Sequence, residues 1–165
     1  MPGLRRVWAV HHVGDLSMAA MADKARQVAP ELGLNVLARG VRSAEEAAQE
    51  LKAVRPGDAL LAPSPLTANI PGLMLDLGLF SRVPGVFAAS FWARAGGLLS
   101  YGSEPRSEGE QAARLVAKIL RGAHPRELPV EGSHRIELAV NLKTARSMGL
   151  AIPPAVLTRA ELVLD

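Results

Sequence analysis

Small hydroxyl side chains follow three short apolar runs in the middle of the chain. The run 59–62 precedes residues 64–69, the run 86–89 precedes 90–92, and the run 96–99 precedes Ser100 and Tyr101. Apolar runs of this length, bounded by Pro and Gly, are typical of strands buried on both faces. Ligands of open α/β sheets bind beyond the carboxyl ends of such strands. The pattern therefore predicts the rim of a binding crevice, although Ser and Thr also cap ordinary strand-to-helix turns.

A second group of chemically active residues follows the first apolar run. His11 and His12 are adjacent, with Asp15 three residues later. Adjacent residues of a strand point to opposite faces, so the two imidazoles do not readily share one metal ion. The alternative is a capped turn with one exposed His. The chain also has no Gly-x-Gly-x-x-Gly turn, P-loop Lys or Gly-x-Ser-x-Gly elbow. A small α/β enzyme using these three residues is therefore disfavoured, and we expect no catalytic residue, metal site or cofactor.

Composition excludes several classes of protein. The 165 residues suit one domain, and the absence of Cys excludes disulfides, thiol nucleophiles and thiolate metal sites. The net charge of +3 comes from scattered Arg residues, which argues against nucleic-acid binding. No apolar run is long enough to span a membrane. The first residues do not resemble a signal peptide, so we expect a cytoplasmic protein if this is the complete natural chain.

Apolar periodicity predicts alternating strands and helices over the first half of the chain. The predicted strands are 6–11, 35–41, 59–62 and 86–89. The predicted helices are 16–33, with Ser17 as its cap and Pro30 in its last turn, 43–55, with a capping box at Ser43 and Glu46, and 71–82. This alternation predicts a mostly parallel sheet covered by helices on both faces.

The second half of the chain does not continue this regular alternation of buried strands and helices. A strand-like run at 96–102 precedes a helix at 108–121 with one apolar stripe. Residues 135–141 alternate with period two, which predicts an edge or antiparallel strand. A short helix at 142–148 and a last helix at 155–163 complete the prediction.

The tail carries a resemblance to a known family. It reads Leu-Pro-Val-Glu at 128–131, Glu-Leu-Ala-Val-Asn-Leu-Lys-Thr-Ala-Arg at 137–146 and Ile-Pro-Pro at 152–154. In this order the motifs resemble the closing segment of the ABC transporter substrate-binding protein family, whose members include tryptophan- and tyrosine-type receptors. The similarity is close over 96–165 and extends in layout over 5–95.

The resemblance implies a type I periplasmic-binding-protein fold with flavodoxin-like, Rossmann-like lobes of three layers. Family members are about twice as long, so the chain resembles mainly the second lobe. Residues 5–95 and 129–165 would form its core, and 96–128 would normally complete the first lobe. The implied function is non-catalytic: a small ligand such as an amino acid is bound by hinge closure and passed to an ABC permease. The implied location is periplasmic or extracellular.

The resemblance also indicates which residues contact the ligand. They follow the third and fourth strands and lie at the crossing between lobes: Ser64, Pro65, Leu66, Thr67, Ser90, Phe91, Ser100 and Tyr101. Relatives often carry acidic or Asn side chains where this chain has Ser64 and Ser90. An ammonium group would lose its counter-charge there, which favours a less charged ligand.

Two further hypotheses concern assembly. The stripe between Ala112 and Leu120 would lack its usual partner without a first lobe, and exposed apolar stripes mark interfaces. We therefore expect a homodimer through the 108–121 helix. The alternative function is a stand-alone flavodoxin-like domain with a sensory, regulatory or protein-interaction role, in which the crevice has become a protein interface.

Overall fold

Strands and helices alternate through most of the chain. The computed structural model describes residues 3–62, 69–133 and 135–165. Within these residues the strands are β1 (Arg6–His12), β2 (Asn35–Val41), β3 (Ala59–Ala62), β4 (Gly85–Phe87), β5 (Leu99–Ser103), β6 (Ile136–Asn141) and β7 (Leu162–Leu164). The helices are α1 (Leu16–Val28), α2 (Ala44–Leu51), α3 (Ile70–Ser81), α4 (Ser90–Arg94), α5 (Pro105–Leu120), α6 (Leu142–Ser147) and α7 (Pro154–Leu157).

All of these strands join one sheet in the order β2-β1-β3-β4-β5-β6-β7. Every neighbouring pair is parallel except β5 and β6, which run antiparallel from the pair Leu99 and Val140 to the pair Ser103 and Ile136. The predicted α/β fold with a mostly parallel sheet is therefore confirmed.

The two faces of the sheet bury different helices. On one face, Trp8, Leu60 and Phe87 pack with buried residues of α2, α3 and α4. On the other face, Val7 and Ala9 pack with the small residues of α1 and of the 3-10 turn Ala29–Leu32 that follows it. This alternation of side chains along β1 explains the three layers.

The last predicted helix, 155–163, is wrong. The helix α7 ends at Leu157, and the strand β7 comes after it in the sequence and pairs in parallel with β6. Glu161 determines this change, because its backbone N–H donates to Leu138 O at 3.0 Å and its carboxylate accepts from Leu138 N at 2.7 Å. The free edge of β6 thus pairs with a strand that local periodicity does not reveal. The predicted strand at 135–141 is antiparallel to its neighbour β5, as one of the two alternatives had it, but it is not an edge strand.

The helix caps differ from the prediction in two details. Asp15, not Ser17, caps α1 by accepting a hydrogen bond from Met18 N at 3.1 Å, and the Ser17 hydroxyl donates to the same carboxylate at 2.7 Å. Ser43 caps α2 as predicted, but the Glu46 carboxylate reaches Arg42 N instead of Ser43 N. Pro30 ends α1 early, so a 3-10 turn replaces its last turn.

A buried carboxylate joins the amino ends of β1 and β3. Asp58 accepts two hydrogen bonds from the Arg6 guanidinium at 2.7 and 2.9 Å. It also accepts one from Trp8 Nε1 and one from Arg55 N, each at 2.9 Å. Burial raises the pKa of Asp58, but the bonds from Arg6, Arg55 and Trp8 outweigh it and hold the pKa below its ordinary value. The ionised carboxylate therefore stabilises this edge of the sheet.

Helix α5 stands apart from the layers. None of its residues is buried, and it makes no extended contact with any described strand or helix. It is attached instead to residues 131–132, where Gln111 Nε2 donates to the Glu131 carboxylate at 2.9 Å and Arg114 forms an ion pair with Glu131. No helix in the described residues has the length and apolar character needed to cross a bilayer.

Candidate functional site at the carboxyl edge of the sheet

The parallel strands β1, β3 and β4 end at the same edge of the sheet. This is the edge at which the sequence predicts a binding crevice. Four of the predicted ligand contacts, Ser64, Pro65, Leu66 and Thr67, follow β3 and lie outside the described residues. Their role stays a prediction.

The turn after β4 presents an aromatic side chain. Ser90 and Phe91 form the first turn of α4, where Ser90 is largely buried and Phe91 is 44% exposed. The Phe91 ring lies 4.7 Å from the buried Trp92 ring, which lies 5.7 Å from Phe87 in the core. The exposed Phe91 ring thus packs on Trp92, which in turn packs on Phe87 in the core. An exposed aromatic face in this position can contact the apolar part of a small ligand.

A glycine of the neighbouring strand lets this turn fold against the sheet. A Cβ built on Gly102 would lie 1.8 Å from the carbonyl oxygen of Ala88. Any other residue would push the turn away from β5. Gly102 therefore fixes the position of Ser90 and Phe91, although the sequence analysis did not single it out.

Two polar side chains of the tail hold the far end of α4. Asn141 Nδ2 donates to Ala93 O at 2.9 Å, and Thr144 Oγ1 donates to Gly96 O at 2.8 Å. The Asn141 side chain also accepts from Thr144 N at 2.8 Å and so caps α6. Both side chains are buried. They position the turn that carries Phe91. An Asn directly before a predicted helix is the sequence signal that could have identified Asn141 as a cap.

The predicted contacts on β5 are not brought together with this turn. Ser100 is 0% exposed, and its register partners are Phe87 and Ala139. Its hydroxyl has no hydrogen-bond partner among the described residues and is closed off from any ligand in this structure. Tyr101 points to the opposite face of the sheet, where it is 60% exposed and lines a cavity of about 240 Å³ with Met21, Leu61 and Val86.

The residues after β1 form a hydrogen-bonded turn. His12 Nδ1 accepts from Gly14 N at 3.0 Å, and its Nε2 lies 3.1 Å from Arg42 O, which requires the proton on Nε2. The bond from Ser17 Oγ and the bond from Met18 N hold the pKa of Asp15 below its ordinary value. These contacts match the alternative of a capped turn. Among the described residues no group of three or more His, Asp and Glu side chains converges on a metal position.

Comparison with known families identifies the family of this chain. The family described as ABC transporter substrate binding protein matches residues 1–164. The chain belongs to this family. The resemblance noted in the tail is therefore confirmed, and the family match extends it over nearly the whole chain. Among curated protein sequences, none matches significantly.

Three solved structures share the fold of this family member. An ABC domain from Streptococcus pneumoniae, in complex with L-Trp, superposes with a TM-score of 0.84 at 22% identity, over 99% of this chain and 56% of that one. A conserved domain protein from Vibrio cholerae gives a TM-score of 0.85 at 23% identity, with the same coverage.

The ligand-free, open form of a substrate-binding protein with adhesive properties from Clostridium difficile gives a TM-score of 0.67 at 19% identity, again over 99% of this chain and 56% of that one. This chain thus spans a little over half the length of these solved structures.

Proposed function

We propose that this chain is the second lobe of a solute-binding protein and binds a small ligand at the carboxyl edge of its sheet. The observation that carries the proposal is Phe91, an exposed aromatic side chain on a turn that Gly102 and Asn141 hold in place. A rigid turn lets a ring meet its ligand without first ordering the backbone, which lowers the entropic cost of binding. Family membership supports a solute-binding role.

We assign the lobes as the resemblance implies. Residues 5–95 and 129–165 form the second-lobe core, and the segment 96–128 extends toward a first lobe. The unburied α5 supports this division for the helix, whereas β5 pairs with β4 and β6 inside the sheet. The ligand is then closed between two lobes by a hinge motion, and the closed form is presented to an ABC permease outside the cytoplasm.

The proposed ligand is an amino acid or a related small solute with an apolar part. The apolar part lies on the Phe91 ring, and the polar part contacts Ser90 and residues 64–67. The L-Trp complex of the Streptococcus pneumoniae relative supports this choice of solute. Tyr101 lies on the other face of the sheet and contributes to ligand binding only if the other lobe approaches it. No chemical step is part of this function, so the chain acts as a binding protein and not as an enzyme.

We also propose that the chain forms a homodimer through the 108–121 helix. The support is the stripe of α5, whose apolar side chains Val116, Ile119 and Leu120 are exposed in the single chain. A second protomer would cover them.

A thermal-shift screen with the twenty amino acids and small amides tests solute binding. A ligand that binds the folded state alone raises the melting temperature in proportion to the logarithm of its concentration. We expect a rise with a small subset of solutes, and its loss in Phe91→Ala.

Phe80→Ala is the matched control. Phe80 is 92% exposed on α3, so this variant removes a more exposed ring elsewhere and should keep the full shift. No shift with any solute at 20 mM, or the same shift in Phe91→Ala as in the wild type, would refute the proposed function.

A further inference from the structure

The edge of the sheet opposite the candidate site carries exposed cations. Strands β1, β3 and β4 begin at this edge, α2 and α3 end there, and the antiparallel strand β6 also ends there. We name five exposed side chains at these positions the basic edge: Arg5, Lys52, Arg55, Arg82 and Lys143. Among the described residues none of the five forms an ion pair, and Lys52 and Arg55 donate only to neutral oxygens.

Acidic side chains near the basic edge do not neutralise it. Three of them already have a cation of their own outside the basic edge: Asp58 pairs with Arg6, Glu50 with Arg39 and Asp165 with Arg146. Glu31, on the 3-10 turn before β2, is exposed and has no ion pair within the part of the chain that the structure describes. Five unpaired cations against this carboxylate give the edge a positive potential.

Two of the five cations are placed against local preference. Arg82 ends α3 with φ 53° and ψ 37°, a left-handed conformation that favours Gly. Lys143 lies in the first turn of α6, where the helix dipole disfavours a positive charge. Lys52, by contrast, ends α2, where the dipole favours one. Local structure therefore does not account for Arg82 and Lys143, which points to a use for their charge.

A projecting aromatic ring adjoins these cations. Phe80 lies in the last turn of α3, two residues before Arg82, and is 92% exposed, with Leu79 also exposed beside it. The nearest acidic residue of α3, Asp76, lies about 6 Å further from the edge along the helix axis. A protein partner would need a preformed pocket for such a ring, whereas acyl chains receive it without one. Aromatic rings beside Lys and Arg are typical of surfaces that bind lipid headgroups.

We infer that the basic edge and Phe80 bind an anionic lipid surface. The cations lie against the headgroup phosphates, and the Phe80 ring enters the boundary with the acyl chains. Each Lys or Arg near such a surface strengthens binding by about fivefold, and salt screens this attraction. This surface does not depend on the proposed solute site, because Phe91 lies at the other edge of the sheet and stays exposed.

Co-sedimentation of the full chain with vesicles tests the lipid surface. Phosphatidylcholine vesicles with about 40% phosphatidylglycerol are compared with pure phosphatidylcholine vesicles, at about 0.05 M and 0.5 M NaCl. We expect binding to the anionic vesicles at low salt, and a partition coefficient at least tenfold lower at high salt or without phosphatidylglycerol. No binding to the anionic vesicles, or equal binding to both kinds, would overturn the inference.

Matched charge reversals locate the binding surface. Lys52→Glu should lower the partition coefficient at least tenfold. Lys118→Glu, an exposed Lys on α5 without an ion pair among the described residues, should lower it less than twofold. Equal losses in the two variants would mean that net charge alone decides binding, which overturns the assignment of the surface.

Arg82→Gly separates a binding role from a structural one. Gly suits the left-handed conformation, so we expect a melting temperature no lower than that of the wild type. The loss of one cation should at the same time lower vesicle binding by about fivefold. A lower melting temperature with unchanged vesicle binding would show that Arg82 serves the fold alone and would contradict its place in the surface.

The aromatic ring decides between a lipid surface and an acidic protein. Phe80→Ala should lower vesicle binding at least tenfold. In Phe80→Trp, we expect the new indole emission to shift to shorter wavelength on anionic vesicles, whereas Tyr101→Trp, on the other face of the sheet, should show no shift. Vesicle binding that Phe80→Ala leaves unchanged, together with binding of poly-L-glutamate, would assign the edge to an acidic protein and overturn the inference.

Discussion

Removal of the Asp58 carboxylate should destabilise the lobe strongly. Asp58→Ala leaves the buried donor Trp8 Nε1 and the partly buried donor Arg55 N without their acceptor at 2.9 Å. The buried donor costs about 1–3 kcal/mol and the partly buried donor costs less, so the free energy of unfolding should fall by roughly 2–4 kcal/mol. The bonds to Arg6 add little, because that side chain is half exposed and its attraction is screened.

Urea and thermal unfolding measure this loss. For a chain of this length each kcal/mol lowers the melting temperature by about 2–4 °C, so we expect a fall of roughly 10 °C. Asp58→Asn keeps one carbonyl oxygen as an acceptor and should lose about half as much. Asp76→Ala is the control, because Asp76 is exposed on α3 and its loss should change stability by less than about 0.5 kcal/mol.

The pH dependence gives an independent check. The pKa of Asp58 is lowered in the folded chain, so its contribution is fully present above the unfolded pKa of about 3.9 and is lost as the pH falls through the lowered folded value. The stability difference between wild type and Asp58→Asn should be constant from pH 5 to 8 and shrink below about pH 4. A difference that is unchanged down to pH 2, or an Asp58→Ala variant no weaker than Asp76→Ala, would refute the reasoning.

Three further substitutions test the elements around the candidate site. Gly102→Ala should lower the free energy of unfolding in urea by about 3 kcal/mol or more, because its Cβ would overlap Ala88 O. Gly109→Ala, in open space on α5, should instead raise it by about 0.5–1 kcal/mol. Equal effects of the two variants would argue against the close approach of Gly102 to Ala88. Asn141→Ala removes a helix cap and a buried hydrogen bond, and should lower the free energy of unfolding by about 2–3 kcal/mol. A loss below about 1 kcal/mol would contradict this role. Ser43→Ala should cost about 1 kcal/mol by circular-dichroism melting, and no change would mean that its bond to Glu46 N is not formed in solution.

The buried parallel strands could be predicted from the sequence because the patterns that indicate them are local. The run 59–62 is bounded by Pro and Gly and is buried on both faces, so it stands out from its surroundings. The last strand could not be found in the same way. Residues 162–164 form a strand only because the free edge of β6 pairs with them, and that partner is distant in sequence.

The position of the candidate turn in the fold was predictable, but the arrangement of side chains around it was not. The turn at Ser90 and Phe91 lies where the end of an apolar run predicted it. Ser100 and Tyr101 were expected at a strand end, yet antiparallel pairing with β6 extends β5 to Ser103 and places both within the strand. Neighbouring residues of a strand face opposite sides, so Ser100 is buried under α4 and Tyr101 is exposed on the opposite face of the sheet.

A titration followed by nuclear magnetic resonance tests the central claim most directly. The isotope-labelled full chain is titrated with the solute that gives the largest thermal shift, and the backbone amide signals are followed residue by residue. The account predicts saturable changes centred on Ala89, Ser90 and Phe91, and their absence in Phe91→Ala. Changes centred instead on Leu61, Val86 and Tyr101, which line the cavity on the opposite face of the sheet, or no saturable change, would contradict it.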